Sequence, residues 1–307
     1  MRAGPVKVSL AVWEGDAMRR AGLILLFLLA AAGAVRAQGP APFAAFERAS
    51  AEVLNDPHDL AIGPDGRLYV ADKFNNRIAI LDAETLEVLG SFGDGQLWNV
   101  HDISFGPDGR AHIAVTGTGE IAIWAQDGAG WHQVGVLTGL PRTEGALAHS
   151  NGRVYVMAGG AGRLIAFEGT VPVAVAGGLY GAHDVAEAPD GSIWVADNFS
   201  RRLVQYSADL QLMRVIDHRK YGFIGPRYLD VDPAGRLVVA DQEGHRVLLI
   251  DPAAGEDGAL IGTIGNGLPG KGPNLLDDPE GVAVRGGVYF FADSDNNRVV
   301  RYVVAVN

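Results

Sequence analysis

The chain has 307 residues, 36 acidic against 25 basic, for a formal charge of −11, and no cysteine. An acidic chain without a Lys/Arg cluster excludes nucleic acid and anionic membranes as partners, because phosphate binding needs a basic footprint. The missing cysteines exclude disulfides, thiolate metal sites and a cysteine nucleophile.

The N-terminal segment reads as a leader. Arg19 and Arg20 precede an apolar run from Ala21 to Ala34, and Val35-Arg36-Ala37 offers small residues at the two cleavage positions. The run is short for a membrane span, which needs roughly 20 apolar residues. A signal peptide over 1–37 is therefore expected, with Met18 the better start and cleavage before Gln38. That implies a secreted or periplasmic protein with no membrane insertion after cleavage. Removing the leader's five basic and two acidic residues leaves −14. Residues 38–307 are expected to form one domain behind a short linker over 38–42.

Past the linker, short alternating runs follow one another at the strand period. Phe43 to Ala49 comes first. The clearest unit follows, DPHDLAIGPDGRLYVADKFNNRIAILD from Asp56 to Asp82, and further copies start near Asn99, Arg142, Gly181, Gly225 and Asp278. In each copy a Pro/Asp/Gly-type turn joins a first and a second strand, and Gly takes the positive φ such turns require. Marker residues Gly66, Gly109, Gly152, Gly191 and Gly235 lie 43, 43, 39 and 44 residues apart. A period near 40–45 made of short strands predicts propeller blades. Outer strands are expected at 87–92, 132–137, 171–176, 212–217 and 259–264. The sixth copy ends after its third strand, so 43–49 is expected to supply the fourth and close the ring. The predicted fold is all-β: a six-bladed β-propeller.

Pro-x-x-Leu-Ala-Ile-x-Pro-Asp-Gly-x-Leu-Tyr-Val-Ala-Asp-x-x-Asn-Asn-Arg-Ile resembles an NHL repeat, in the NHL/TolB-like class of propellers. Segments 56–82, 181–206, 226–251 and 278–302 carry it best, and the copies from Asn99 and Arg142 are degenerate.

The first strand of a blade lines the channel, so equivalent residues at its start form a ring. Alignment on the glycines gives His58, His101, Glu144, His183, Arg227 and Glu280, with Asp59, Asp102 and Asp184 following the three histidines. Imidazoles converging on one point make a divalent-metal site, which carboxylates complete. The arrangement is similar to peptidyl-hydroxyglycine α-amidating lyase, whose zinc histidines sit in Pro-His-x-Leu/Ile. Pro57-His58-Asp59-Leu60 has that form, while Val100 and Ala182 replace the proline before His101 and His183. The resemblance implies His58, His101 and His183 as ligands of zinc, and Asp59, Asp102 or Asp184 as holders of an axial cation such as calcium. Where that family carries its catalytic Tyr, this chain has Phe74 or Phe199, which have no proton to exchange.

The leading expectation is a metal-dependent lyase or hydrolase acting on a small or chain-terminal substrate. Glu144 or Glu280 would complete the metal shell or act as base, and Arg227 would orient an anionic group. The alternatives are a non-catalytic scaffold for an envelope protein or glycan, and a calcium-dependent lactonase-like enzyme. The pairs Asp72/Arg77, Asp197/Arg202, Asp241/Arg246 and Asp293/Arg298 are expected to lock their own turns. Trp98, Arg142, Tyr180 and Tyr221 are expected on loops at the ring's mouth. Small residues in the second and third turns (117–119 and 159–162) would open one side of it, and the insert 265–277 reads as a flap or an ordinary loop.

Overall fold

The computed structural model describes residues 43–305. The leader expected over 1–37 lies outside them. Among the described residues no helix is long and apolar enough to cross a membrane.

Six four-stranded antiparallel sheets follow one another, and each inner strand neighbours those of the blades before and after it, closing a ring. The fold is a six-bladed β-propeller. Blade 1 runs from the inner strand Pro57–Ile62 through Leu68–Asp72 and Arg77–Leu81 to the outer strand Val88–Phe92. The outer strands 171–176, 212–217 and 259–264 lie where the sequence placed them, and the second blade's is longer, Gly130–Leu137. The sixth sheet takes its fourth strand from the N-terminal side: Ala44–Ala49 pairs with Arg298–Val304, from Ala44 opposite Val304 to Ala49 opposite Val300.

Turn chemistry repeats with the blades. Gly66, Gly109, Gly152, Gly191 and Gly235 all have φ between 77 and 85°. Each donates its N–H back three residues, as Gly66 does to Gly63 O at 2.9 Å. The Asp–Arg pairs do lock turns. Arg77, Arg202, Arg246 and Arg298 donate Nε–H to Asp72, Asp197, Asp241 and Asp293 at 2.8, 2.6, 2.8 and 2.7 Å. The second oxygen of each Asp accepts the N–H of the loop leading into the inner strand, from Asn55, Tyr180, Ile224 and Asp277. One buried carboxylate thus fixes both connections at one end of its blade.

The apolar core lies between blades, not on the axis. Side chains of the second strands alternate between the two flanking interfaces. Tyr69, Tyr155, Trp194 and Phe290 are fully buried there, each burial worth on the order of 2–3 kcal/mol. The insert 265–277 is fastened rather than free: Asn296 donates to Gly270 O at 2.9 Å, and the Tyr302 hydroxyl to Pro273 O at 3.1 Å.

Candidate functional site

Two local devices aim the ring residues at the axis. Five inner strands follow a residue in the left-handed region: Asp56, Asn99, Arg142, Gly181 and Asp278, with φ between 53 and 61°. Asp, Asn and Gly accept that conformation readily. Arg142 does so at a cost of about 1 kcal/mol. Every inner strand then slips register at the ring residue. In blade 3 Thr143 pairs with Ala158 and Gly145 with Met157, so Glu144 bulges from the ladder. The same slip falls at His58, His101, His183, Arg227 and Glu280. A bulge re-aims its side chain, and here six bulges point to one axis.

The ring divides into two halves. In one, His58 Nδ1 lies 2.7 Å from Glu280 Oε2 and 3.5 Å from Asp56 Oδ1. Lys73 Nζ holds the other Asp56 oxygen at 2.6 Å, and Arg227 Nε stands 3.4 Å from Glu280 Oε1. Gln242 ties the group together, donating to Glu280 at 2.6 Å and Asp278 at 2.7 Å while accepting from Arg227 at 2.9 Å. Burial opposes charge on His58, but Glu280 and Asp56 outweigh it and raise the imidazole's pKa. Burial likewise opposes the Asp56 carboxylate, and His58 and Lys73 overcome it, holding its pKa far down.

In the other half, His101 and His183 turn Nδ1 to backbone carbonyls two residues upstream, Asn99 O at 2.9 Å and Gly181 O at 2.7 Å. Nδ1 therefore carries the proton and Nε2 the lone pair. Both Nε2 atoms face Glu144 Oε2, at 3.5 and 3.7 Å. Those separations are too long for hydrogen bonds. Glu144 Oε2 and His183 Nε2 are buried without a hydrogen-bond partner, as is His58 Nε2. Burial pushes both imidazole pKa values well down, helped by His58 at His101 and by Arg227 at His183. Burial also raises the Glu144 carboxyl, against Arg142 and Arg227. Arg142, Glu144, His183 and Phe199 line a cavity of about 20 Å³, room for one water-sized group.

The three imidazoles do not close on one point. Among the described residues, three ligand atoms lie within 4.8 Å of one another at Asp56, His58 and Glu280, not at His58, His101 and His183. The rings of His58 and His101 meet edge to face, 4.4 Å between centroids. Nor do Asp59, Asp102 and Asp184 join the histidines. Each reaches the next blade: Asp59 accepts from Ile103 N at 3.3 Å, Asp102 from Ala146 N at 3.1 Å, and Asp184 from Leu229 N at 2.7 Å. With Asp230, which accepts from Val284 N at 2.8 Å, they line a separate cavity of about 240 Å³. Burial lifts all four carboxyls, Asp184 to about 6 and Asp230 to about 7. Asp184's charge adds to the burial at Asp59, and those of Asp59 and Asp184 at Asp102. Tyr228 crosses the axis in the layer beneath the ring. Fully buried, it donates from blade 5 to His101 O in blade 2 at 3.2 Å. Gly145 and Gly281 leave room in that layer: a Cβ there would stand 2.4 Å from His183 O and 2.5 Å from His58 O.

Asp56, Gln242 and Asp230 escaped the sequence reading as members of the axial groups, whereas Tyr228 lies beside the ring as its position next to Arg227 implied. Asp56 carried a signal, an Asp before Pro two residues ahead of a ring histidine. Asp230 is out of step with the other aspartates by two residues. At the mouth, Trp98, Arg142 and Tyr180 are exposed as expected, but Tyr221 is not. It ends a helical turn, His218–Tyr221, is buried, and donates its hydroxyl to Asp257 O at 2.6 Å.

Solved structures share this ring. The virginiamycin B lyase from Staphylococcus aureus superposes with a TM-score of 0.59 at 11% identity, over 82% of this chain and 96% of that one. A protein of unknown function from Bacteroides thetaiotaomicron gives 0.66 at 13% identity, over 82% and 70%. An auxiliary nutrient binding protein from the same organism gives 0.64 at 16% identity, over 81% and 69%. At such identities the likeness is one of fold. No curated protein matches the sequence. The profile of the family described as Domain of unknown function (DUF5074) matches residues 44–220, more than half of the chain, and the chain belongs to that family.

Proposed function

We propose that this chain is an exported, metal-dependent enzyme that breaks a bond in a small or chain-terminal substrate, as a lyase or hydrolase. One observation carries the reading. Two imidazoles, each with its proton committed to a backbone carbonyl, turn their lone pairs on the unpartnered oxygen of a buried carboxylate. Electron-pair donors facing one another in a buried site call for a cation, and the backbone bonds are of the kind that fix a ligand's tautomer. The edges of 3.5 and 3.7 Å to Glu144 are near the separation of about 3.4 Å between ligands of a tetrahedral zinc shell, while the edge between the two imidazoles, longer than 4.8 Å, would have to close as the rings turn onto the ion. The Asp56–His58–Glu280 half is a poorer host, because Lys73, Arg227 and the His58 imidazolium already balance its carboxylates.

His101, His183 and Glu144 would hold the ion, with zinc favoured by imidazole donors. When bound, it would supply Lewis acidity to a substrate carbonyl or lower the pKa of water. His58, kept cationic by Glu280, has a free Nε2 from which to deliver a proton. Arg227, braced by Gln242, is set to orient an anionic group. The NHL-like repeat and the leader support the same reading, as does the occurrence of a lyase on this fold.

Elemental analysis of the mature protein tests it. We expect about one equivalent of zinc or a similar ion, lost in His183→Ala and Glu144→Gln and kept in His58→Ala. Equal metal content in all three variants, or none in the parent, would sink the proposal. Calcium that survives the histidine changes would point instead to the aspartates below.

A further inference from the structure

The mouth above the ring is patterned by blade. On each blade, a residue of the loop leading inward is tied to a residue of the turn between the second and third strands. Phe74 N bonds Asn55 O, Phe199 N bonds Tyr180 O, and Asp295 N bonds Asp277 O, at 3.1 to 3.2 Å. Because blades follow in chain order, the first faces the fourth across the axis and the third faces the sixth. Blade 1 presents Phe74, 55% exposed, and blade 4 presents Tyr180 and Phe199, 66% and 53% exposed, in edge-to-face contact at 5.2 Å. Blade 3 presents Arg142, whose side chain is 66% exposed and holds Glu144 Oε1 through Nε at 2.6 Å. Its two terminal nitrogens make no hydrogen bond or ion pair among the described residues. Opposite stand the exposed Asp295 on blade 6 and the half-buried Asp277, whose Oδ1 lies 3.4 Å from His245 Nδ1 and whose other oxygen is left for a ligand. One diameter thus carries opposite charges and another carries aromatic rings.

The floor adds a size limit. The small cavity that reaches Glu144 and His183, with their unpartnered atoms, takes only a water-sized group, so the body of any ligand stays in the mouth. Separated charges of opposite sign with an apolar flank match one common chemistry, the free peptide with an apolar side chain.

We propose that the mouth binds short zwitterionic peptides. The carboxylate meets Arg142, the ammonium meets Asp277 and Asp295, and an apolar side chain lies against Tyr180 and Phe199. This rests on the mouth being the entrance to the site described under the proposed function. It narrows the substrate class from small molecules in general to unblocked peptides.

Calorimetric titration of the mature protein with Ala-Phe-Ala, its N-acetyl and C-amide forms, and Gly-Gly-Gly tests the inference. Removing either terminal charge is expected to weaken binding about tenfold, the size of one lost charge-assisted contact. Triglycine is expected to bind more weakly than the phenylalanine peptide. In Asp277→Asn/Asp295→Asn, acetylation should no longer matter, and in Arg142→Gln, amidation should no longer matter. Equal binding of all four ligands, or binding of none, overturns the inference, and the blocked peptides decide it even if a variant misfolds. Metal content measured on the same sample separates the two proposals. Metal without peptide discrimination ends this one alone, and discrimination without metal ends the other.

Discussion

Asp230 offers a sharp test of how the axial chamber is held. Its carboxylate accepts from Val231 N at 2.7 Å and Val284 N at 2.8 Å, yet burial lifts its pKa from an ordinary 3.8 to about 7. The folded state therefore binds more protons than the unfolded state across that window. The associated stability is complete below pH 3.8 and lost as pH rises to about 7. At 1.36 kcal/mol per unit, the part between pH 5 and pH 8 is worth about 3 kcal/mol. Asp230→Asn cannot titrate. It gives up one of two acceptor oxygens, at a cost of about 1–2 kcal/mol that does not change with pH. The variant should thus gain about 3 kcal/mol on the parent between pH 5 and pH 8, or roughly 6–12 °C in Tm. It should be the less stable protein at pH 5 and the equal or more stable one at pH 8. Urea unfolding at both pH values measures this, and a difference between the two proteins that stays constant with pH would refute a desolvated carboxylate at this position.

Two further outcomes follow from the ring. Gly145→Ala drives a Cβ to 2.4 Å from His183 O, backbone that cannot yield, so a loss of about 1–3 kcal/mol is expected in chemical denaturation. In an NMR titration of the imidazoles, His58 should remain protonated above the ordinary 6.5, while His101 and His183 remain neutral below it. Stability from His58 is present below 6.5 and lost as pH climbs through its raised pKa, whereas the two neutral imidazoles cost stability as pH falls below 6.5. Three overlapping titrations near 6.5 would contradict the division of the ring.

The architecture was legible because each blade repeats its turns, and a repeat fixes both strand count and register. The same alignment found all six ring residues. It did not reveal that they divide, because the division depends on where each bulge turns its side chain and on partners outside the aligned column. Asp56 stands beside His58 and Gln242 holds Glu280, and neither occupies a ring position. The aspartates after the histidines read as metal ligands by sequence adjacency. Successive residues of a strand face different surroundings, and these three face the chamber below. Tyr221 was placed at the mouth because loops there are exposed, but a helical turn folds its ring under Asp257.

The joining of Ala44–Ala49 to Arg298–Val304 also sets the order in which the molecule is built. At 5–20 residues per second, roughly 15–50 seconds of translation separate the two partners. Throughout that interval the earliest segment has nothing to zip against, and the circle stays a broken arc with raw borders at both ends. Both strands must have been made before the circle can lock, so loss of either strand leaves the same gap.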